Sequence, residues 1–219
     1  MKSLKRTDMS LSRILAFLLI ISLAAACKDE KKPEVDPDAP KIIVRKDTAN
    51  LKKEKQPSRS PIINVTDTIA TRYIVLYIKD SAASSERISQ KLATAYGVKL
   101  ADFIKKNKLT AVGPPIAWYR SSKAPFFFEA GIPVDKKPAK LAKGILVKNI
   151  GGETALIAHF YGPYSSTFVG YEVLTEWLKD RKKTRSSLPY EIYVTDPVDQ
   201  DGKMMDPYKV QTDIVFPYK

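Results

Sequence analysis

Cysteine and histidine are nearly absent from this 219-residue chain, which contains one of each, Cys27 and His159. A single cysteine excludes a disulfide bridge within one molecule. Zinc sites need three or four ligands, so the sequence predicts none, and a lone histidine on a strand is usually structural. No phosphate-cradling glycine loop, dinucleotide fingerprint or Ser-His-Asp pattern is present either. We therefore expect no metal and no cofactor, and we assign no catalytic residue.

Negative charge is scarce relative to positive charge, with 24 Asp and Glu residues against 37 Lys and Arg and a formal net charge of +13. Basic residues concentrate in segments 41–58, 105–108 and 179–185. Such clusters can serve nucleic acid or acidic head groups, but there is no helix-turn-helix, zinc-finger or RNP-like signature. We therefore predict no nucleic-acid partner. Association with an anionic membrane or polysaccharide and a merely solvated surface both stay open.

The N terminus, residues 1–26, is predicted to be an export signal. Its apolar run from Ile14 to Ala26 has the length of a signal-peptide core and is too short to span a bilayer as a helix. The run follows four cations, Lys2, Lys5, Arg6 and Arg13. It closes on the sequence LAAAC, which resembles a lipobox and implies lipidation of Cys27. An ordinary cleaved signal followed by an accidental cysteine is the alternative.

Residues 27–66 are predicted to form a lipidated, flexible tether. Prolines at positions 33, 37, 40, 57 and 61, many charges, and no sustained period of 2 or 3.6 argue against regular structure. Segment 28–32 resembles a short Lys-acidic signal for the outer face of the outer membrane, with a solvated charge cluster as the alternative. We expect a monomer that is lipid-anchored in the cell envelope, at the periplasmic or surface face of the outer membrane.

Residues 67–219 have the size of one domain. Their helical periods predict two helices, from Ser85 to Lys108 and from Ser165 to Arg181. Runs of β-branched and aromatic residues predict strands at 72–79, 111–120, 125–134, 153–161, 188–195 and 209–216. Each half of the domain thus reads strand, helix, strand, strand.

The two halves also share sequence. The segment PIAWY at 115–119 aligns with PYEIY at 189–193, and each is followed by a strand that ends on an apolar residue and proline. This pattern predicts a duplicated unit. We expect an α+β fold in which both units share one antiparallel sheet, with two helices on one face and a ligand groove on the other.

Six short segments with a characteristic order carry a family resemblance. They are VGPP at 112–115 leading to Tyr119, FEAGIPV at 128–134, GG at 151–152 before a strand with His159, GPY at 162–164 opening a helix with WL at 177–178, PYEIY at 189–193, and TDIVFP at 212–217. In this order, residues 68–219 resemble the GyrI-like or AraC-type effector-binding domain. The resemblance implies a groove between the two halves that binds small, flat, often cationic or amphipathic molecules.

Glu191 is the leading ligand-binding candidate. It stands in a segment of Pro, Tyr and Ile residues, so its carboxylate is expected to face an apolar, aromatic groove, and the resemblance implies contact with a ligand's positive charge. A desolvated carboxylate costs several kcal/mol unless it is paired, hydrogen-bonded or protonated, which makes it a selector for cations. The alternatives are a solvent-facing Glu and one satisfied by a nearby Tyr hydroxyl or Lys.

Aromatic residues are expected to line the same groove. Tyr193 shares a strand face with Glu191 because side chains two apart point the same way. Tyr119 is its counterpart in the first repeat, and Trp118 lies on the opposite face, so at least one of that pair is expected in the core. The resemblance adds Tyr164 at the groove mouth, and Phe128 is included as a pocket residue.

Three functions follow from these residues. The first is non-catalytic, extracytoplasmic binding of a small amphipathic ligand, cationic and aromatic in the favoured form. The second is a hydrolase of reactive small molecules, with Glu191 as general base and Tyr193 or Tyr119 as proton donor. The third is a module whose groove, or whose loop at 196–207, binds a protein or envelope polymer. Many relatives carry DNA-binding modules, and this chain shows no such motif, so a transcriptional role is not transferred.

Overall fold

The computed structural model describes residues 59–219. The predicted signal peptide, Cys27 and the predicted tether up to residue 58 lie outside these described residues. Within residues 59–219, no helix is both long and apolar enough to cross a membrane. The structure therefore covers the predicted domain and the end of the segment before it.

The described residues form an α+β fold. The strands are β1 (Ile62–Ile69), β2 (Tyr73–Ala82), β3 (Ile116–Tyr119), β4 (Phe126–Val134), β5 (Leu146–Ile150), β6 (Thr154–Tyr161), β7 (Tyr190–Tyr193) and β8 (Gln211–Pro217). The first helical segment comprises α1 (Ser85–Thr94), a π-helical stretch (Ala95–Leu100) and α2 (Ala101–Lys106). The second comprises a 3-10 turn (Tyr164–Ser166) and α3 (Thr167–Asp180), and a short 3-10 turn (Pro207–Lys209) precedes β8.

All eight strands belong to one antiparallel sheet with the order β1-β6-β8-β7-β3-β4-β2-β5. Counted inward from the two edges, the strands correspond in pairs: β1 with β5, β6 with β2, β8 with β4, and β7 with β3. Each half of the chain contributes one edge strand and three inner strands. The two helical segments pack on one face, over two separate apolar clusters. This arrangement confirms the predicted fold class and the duplicated unit.

The pseudo-twofold axis of the duplication passes through the central pair of strands, β3 and β7. In the aligned repeats Ala117 corresponds to Glu191, and the register places these two residues directly opposite each other. Positions that correspond in the two halves therefore meet at the centre of the sheet.

The sheet is strongly curled. Residues 70–72 connect β1 to β2 and residues 151–153 connect β5 to β6, although the strand order puts six spacings between the members of each pair. In a flat sheet six spacings measure about 29 Å, whereas such a link reaches only about 15 Å. On the face without helices, Val75 of β2 and Ala155 of β6 pack in one cluster although they come from opposite ends of the sheet, so this face is concave. The centre of the face is filled by Ile116, Trp118, Tyr190 and Val215.

Strands β1 and β5 were not predicted. Strand β1 starts at Ile62, inside the segment predicted as a tether, so regular structure begins before the expected boundary at residues 66 and 67. Both are edge strands, and neither contains a fully buried residue. An edge strand is held mainly by backbone hydrogen bonds to one neighbour and needs little apolar periodicity, which explains why the pattern missed them.

Candidate functional site

Glu191 lies on β7 and points to the helix-covered face of the sheet. Only 2% of its surface is exposed. Its partner across the pseudo-twofold axis is Ala117, also fully buried. The small alanine side chain leaves room at the axis for one long acidic side chain, where two symmetric carboxylates would repel each other.

Three tyrosine hydroxyls donate hydrogen bonds to the Glu191 carboxylate. Tyr171 on α3 donates to Oε1 at 2.9 Å, and Tyr164 donates to Oε2 at 2.8 Å. Tyr193 also donates to Oε2, at 3.1 Å. No Lys, Arg or His of residues 59–219 forms a salt bridge with this carboxylate. The buried acid is therefore satisfied by neutral donors alone.

Two further tyrosines surround these donors. The Tyr119 hydroxyl lies 2.7 Å from the hydroxyls of both Tyr164 and Tyr193. The ring edge of Tyr96 contacts Tyr193, with 6.3 Å between centroids, and the Tyr96 hydroxyl donates to the backbone carbonyl of Ile116. We call these five residues, Tyr96, Tyr119, Tyr164, Tyr171 and Tyr193, the tyrosine cluster.

Burial and contacts at this site change the pKa values of Glu191 and of the tyrosines that donate to it. Burial raises the pKa of Glu191, and the hydrogen bonds from Tyr164, Tyr171 and Tyr193 only partly oppose this rise. Burial, followed by the nearby Glu191 charge, raises the pKa of the Tyr164 and Tyr171 hydroxyls. The tyrosines thus stay neutral donors, and ionised Glu191 lacks a full countercharge. Such a site favours uptake of a proton or of a cation.

Tyr164 is the exposed member of the cluster. It belongs to the turn that opens the second helical segment, and 47% of its surface is exposed although its hydroxyl reaches Glu191. Its ring therefore lies between the carboxylate and solvent. Gly162 places this turn against the start of β1, because a Cβ there would lie 2.9 Å from the Pro61 side chain.

Four of the predicted ligand-binding residues meet at this site, namely Glu191, Tyr193, Tyr119 and Tyr164. Trp118 does not, because it points to the concave face and packs against Tyr190 with 5.6 Å between ring centroids. Phe128 lies opposite Tyr119 in the register, but its side chain is buried in the apolar cluster under α1 and α2. Because side chains alternate along a strand, Trp118 and Tyr119 point to opposite faces.

The predicted orientation of Glu191 needs correction. Glu191 was expected on the face opposite the helices, but it points toward α3, and tyrosine rings fill the space beside it. Hollows do exist on the concave face, where Trp118 and Tyr190 line one of them. The alternation of β7 decides this, since Tyr190 and Ile192 face the concave side while Glu191 and Tyr193 face the helices.

Tyr96 and Tyr171 were not among the predicted site residues. Both fall on the inward stripe of a predicted helix, where the pattern gave them an apolar core role. A buried tyrosine hydroxyl needs a hydrogen-bond partner. This requirement was the sequence signal that the inward stripes carrying Tyr96 and Tyr171 face a polar group.

Comparison with solved structures identifies proteins of similar fold. The crystal structure of the EcmrR C-terminal domain has a TM-score of 0.57 and 19% identity, over 72% of this chain and 98% of that one. EcmrR in a DNA complex has a TM-score of 0.57 and 17% identity, over 73% of this chain. A Listeria innocua hydrolase has a TM-score of 0.49 and 12% identity, over 77% and 96% of the two chains.

At these identities the similarity shows the fold alone, which is consistent with the predicted GyrI-like fold. The chain spans 57% of the length of EcmrR in the DNA complex. No family model matches the sequence, and no curated protein does.

Proposed function

We propose that this protein is a GyrI-like effector-binding module that binds a small lipophilic cation at Glu191, outside the cytoplasm and anchored to the envelope through a lipid on Cys27. The observation that carries the binding proposal is a carboxylate with 2% exposure, three neutral donors and no salt bridge within residues 59–219. The similarity to the EcmrR C-terminal domain supports the fold on which the proposal depends.

The energetic case rests on desolvation that folding has already imposed. Folding removes Glu191 from water, so an arriving cation meets an acid whose hydration is already lost. At an effective dielectric constant of about 20, two unit charges 4 Å apart attract by about 4 kcal/mol. Tyrosine faces add about 0.5 to 2 kcal/mol for each good cation–π contact. Entry requires the Tyr164 ring to move aside, because this ring covers the carboxylate.

Calorimetric titration with tetraphenylphosphonium tests the proposal directly. The full chain carrying Cys27→Ser is used in non-ionic detergent, with detergent alone as the blank. We expect saturable binding that Glu191→Gln weakens at least tenfold, or about 1.4 kcal/mol, because the substitution removes the charge and keeps the shape. Glu172→Gln, an exposed change on the same α3 region, is the matched control and should bind like the parent. Equal affinity in the Glu191 and Glu172 variants would reject the role of Glu191.

The filled space beside Glu191 favours a second candidate, an interaction module for a protein or envelope polymer. Tyr164→Ala separates the two functions because it removes the ring that covers the carboxylate. If neither the parent chain nor Tyr164→Ala binds tetraphenylphosphonium, the interaction module replaces the cation-binding function. Turnover of an electrophilic small molecule that Glu191→Gln abolishes would instead support the hydrolase.

The envelope location has its own test. Cell fractionation of a Gram-negative host should place the wild-type chain in the membrane fraction and Cys27→Ser outside it, because Cys27 is the proposed lipidation site. Cys27→Ala gives the same expected result without a hydroxyl. Membrane association that survives both substitutions would exclude the lipid anchor and leave the binding proposal unaffected.

A further inference from the structure

The concave face carries a second polar site, separate from Glu191. A hollow of about 460 Å³ lies beside the central strands. It is bounded on one side by the end of β5 and the link at 151–153, and on the other by segment 186–188. Its wall and floor include Trp118, Arg120, Glu129, Lys148 and Tyr190. None of these residues belongs to the tyrosine cluster, which lies on the other face of the sheet.

A buried ion cluster forms the floor of this hollow. Glu129 on β4 is 2% exposed. Its Oε1 accepts hydrogen bonds from Nε and Nη2 of Arg120, at 3.0 and 2.6 Å, and its Oε2 accepts one from Nζ of Lys148 at 2.8 Å. Burial acts to raise the pKa of Glu129, but Lys148 and Arg120 outweigh it and lower that pKa. Glu129 is therefore an ionised carboxylate that orients two cations.

Positive charge exceeds negative charge around the hollow. Lys79 lies opposite Glu129 in the register, and Glu153 lies in the wall. The lining contains two cations, Arg120 and Lys148, and two carboxylates, so the excess comes from Lys79 beside it. Burial lowers the pKa of Lys148, and the charges of Arg120 and Lys79 act in the same direction. An anion placed here would relieve this repulsion.

Donors and an aromatic surface are available beside the cluster. Within the described residues, Nη1 of Arg120 and the hydroxyls of Ser186 and Ser187 make no hydrogen bond, although all three residues line the hollow. Nζ of Lys148 lies 3.1 Å from the centroid of the Trp118 ring, which holds the ammonium group over the floor. The arrangement joins oriented cations, free donors and an indole in one place.

The geometry points to a binding site for a small organic anion, a carboxylate or a phosphate, held by Arg120, Lys148 and the loop with Ser186 and Ser187. Glu129 orients the two cations and does not contact the ligand. Arg120 is suited to this role because its guanidinium can bind Glu129 on one edge and present its outer nitrogen to a second acid. This site is independent of the cation site proposed at Glu191.

Fluorescence of Trp118 gives a direct readout. The chain has two tryptophans, so the full chain carrying Cys27→Ser and Trp177→Phe reports on Trp118 alone. Benzoate and inorganic phosphate are titrated in separate arms at constant ionic strength, with sodium chloride as the reference salt. We expect a saturable fluorescence change with at least one of the two probes and none with chloride. A response to benzoate alone assigns carboxylates, a response to phosphate alone assigns phosphates, and a response to both assigns the shared anion chemistry.

Variants locate the response. Arg120→Gln should weaken binding at least tenfold, and its side chain is 56% exposed, so the fold tolerates the change. Arg87→Gln removes an exposed cation from α1 and should bind like the parent. Ser187→Ala provides a second test at the opposite wall, with several-fold weaker binding expected. Glu191→Gln should leave anion binding unchanged, which separates this site from the cation site.

Three results would overturn the inference. The first is no response to either probe, which would mean that the hollow binds neither anion. The others are an equal response to chloride and equal losses in the Arg120 and Arg87 variants, which would both indicate general charge screening.

Discussion

The two buried glutamates of this sheet have equal exposure and opposite electrostatics. Glu129 and Glu191 are both 2% exposed, and both belong to inner strands of the sheet, β4 and β7. Glu129, on the concave face, holds Arg120 and Lys148, and its pKa is lowered. Glu191, on the helix-covered face, holds tyrosine hydroxyls, and its pKa is raised. Burial alone does not decide the state of an acid, since the charge of its partners does.

The same contrast appears when corresponding positions of the two halves are compared. Asp213 is opposite Ile192 in the register as Glu129 is opposite Trp118, so the two acids occupy equivalent sites. Asp213 also has a basic partner, with its Oδ1 2.8 Å from Nδ1 of His159. Acids on the concave face thus occur with basic neighbours in both halves. On the helix-covered face one half has Glu191 and the other has Ala117.

The largest expected effect comes from restoring symmetry at the axis. Ala117→Glu would place a second carboxylate opposite Glu191 in a fully buried site, and we expect the free energy of unfolding to fall by about 3 to 5 kcal/mol near neutral pH. Ala117→Gln has nearly the same shape and no charge, with an expected loss of about 1 to 3 kcal/mol from overpacking. Urea denaturation measures both. Equal losses would show that volume, and not charge, decides the residue at position 117.

A smaller effect distinguishes the two natural acids. Glu129→Gln should lower the free energy of unfolding by about 2 kcal/mol, because it leaves the partly buried Lys148 without its anion. Glu191→Gln should leave it unchanged or raise it by up to about 1 kcal/mol near neutral pH, because no cation loses a partner. Urea denaturation of both variants at neutral pH measures whether each substitution lowers or raises the free energy of unfolding. A loss in Glu191→Gln as large as that in Glu129→Gln would contradict the contrast.

The contributions of Glu191 and Glu129 to the free energy of unfolding depend on pH in opposite directions. The folded-state pKa of Glu191 lies above 4.5, so the folded state binds more protons, and the stability of wild type relative to Glu191→Gln falls as pH rises through that pKa. The folded-state pKa of Glu129 lies below 4.5. Its contribution is fully present above pH 4.5 and is lost as pH falls through the folded-state pKa. Denaturation curves from pH 3 to 8 would give both slopes.

The smallest effect concerns the donors. Tyr171→Phe removes the hydrogen bond to Oε1 of Glu191, with an expected loss of about 1 kcal/mol in the free energy of unfolding. It should also raise the pKa of Glu191 further, as read from the pH dependence of stability. Tyr96→Phe is the control, because its hydroxyl bonds the Ile116 carbonyl and leaves Glu191 with all three donors. A shift of the Glu191 pKa in the control as large as in Tyr171→Phe would rule out the assigned role of that hydrogen bond.

Prediction from the sequence succeeded where local periodicity coincides with burial. The inner strands and both helical segments were placed, and the repeat of PIAWY in PYEIY led to the duplicated sheet. It failed at β1 and β5, because edge strands owe their structure to a neighbour distant in sequence. The helix predicted from Ser85 contains a π-helical stretch around Gly97, which periodicity alone does not reveal.

For the candidate site, strand alternation correctly grouped Glu191 with Tyr193, and the repeat correctly paired Tyr193 with Tyr119. Alternation defines which side chains share a face, but not which face the helices cover. Glu191 was therefore assigned to the wrong face, and Phe128, predicted as a pocket residue, packs in the apolar cluster under α1 and α2. Tyr96 and Tyr171 come from helices, and only packing shows that their hydroxyls face this acid.

The amino-acid sequence by itself determined the α+β class and the shared face of Glu191 and Tyr193, because both depend on periods of a few residues. It also determined the duplication and the position of Glu191 against Ala117, because both follow from aligning the two repeats. Tertiary structure alone decided that Glu191 faces α3, that five tyrosines gather there, and that Arg120 and Lys148 converge on Glu129. Most of those contacts join side chains of different elements, with separations from 9 residues for Arg120 and Glu129 to 74 for Tyr119 and Tyr193. Their geometry follows from the curl of the sheet and the packing of helices on it, which no local pattern encodes.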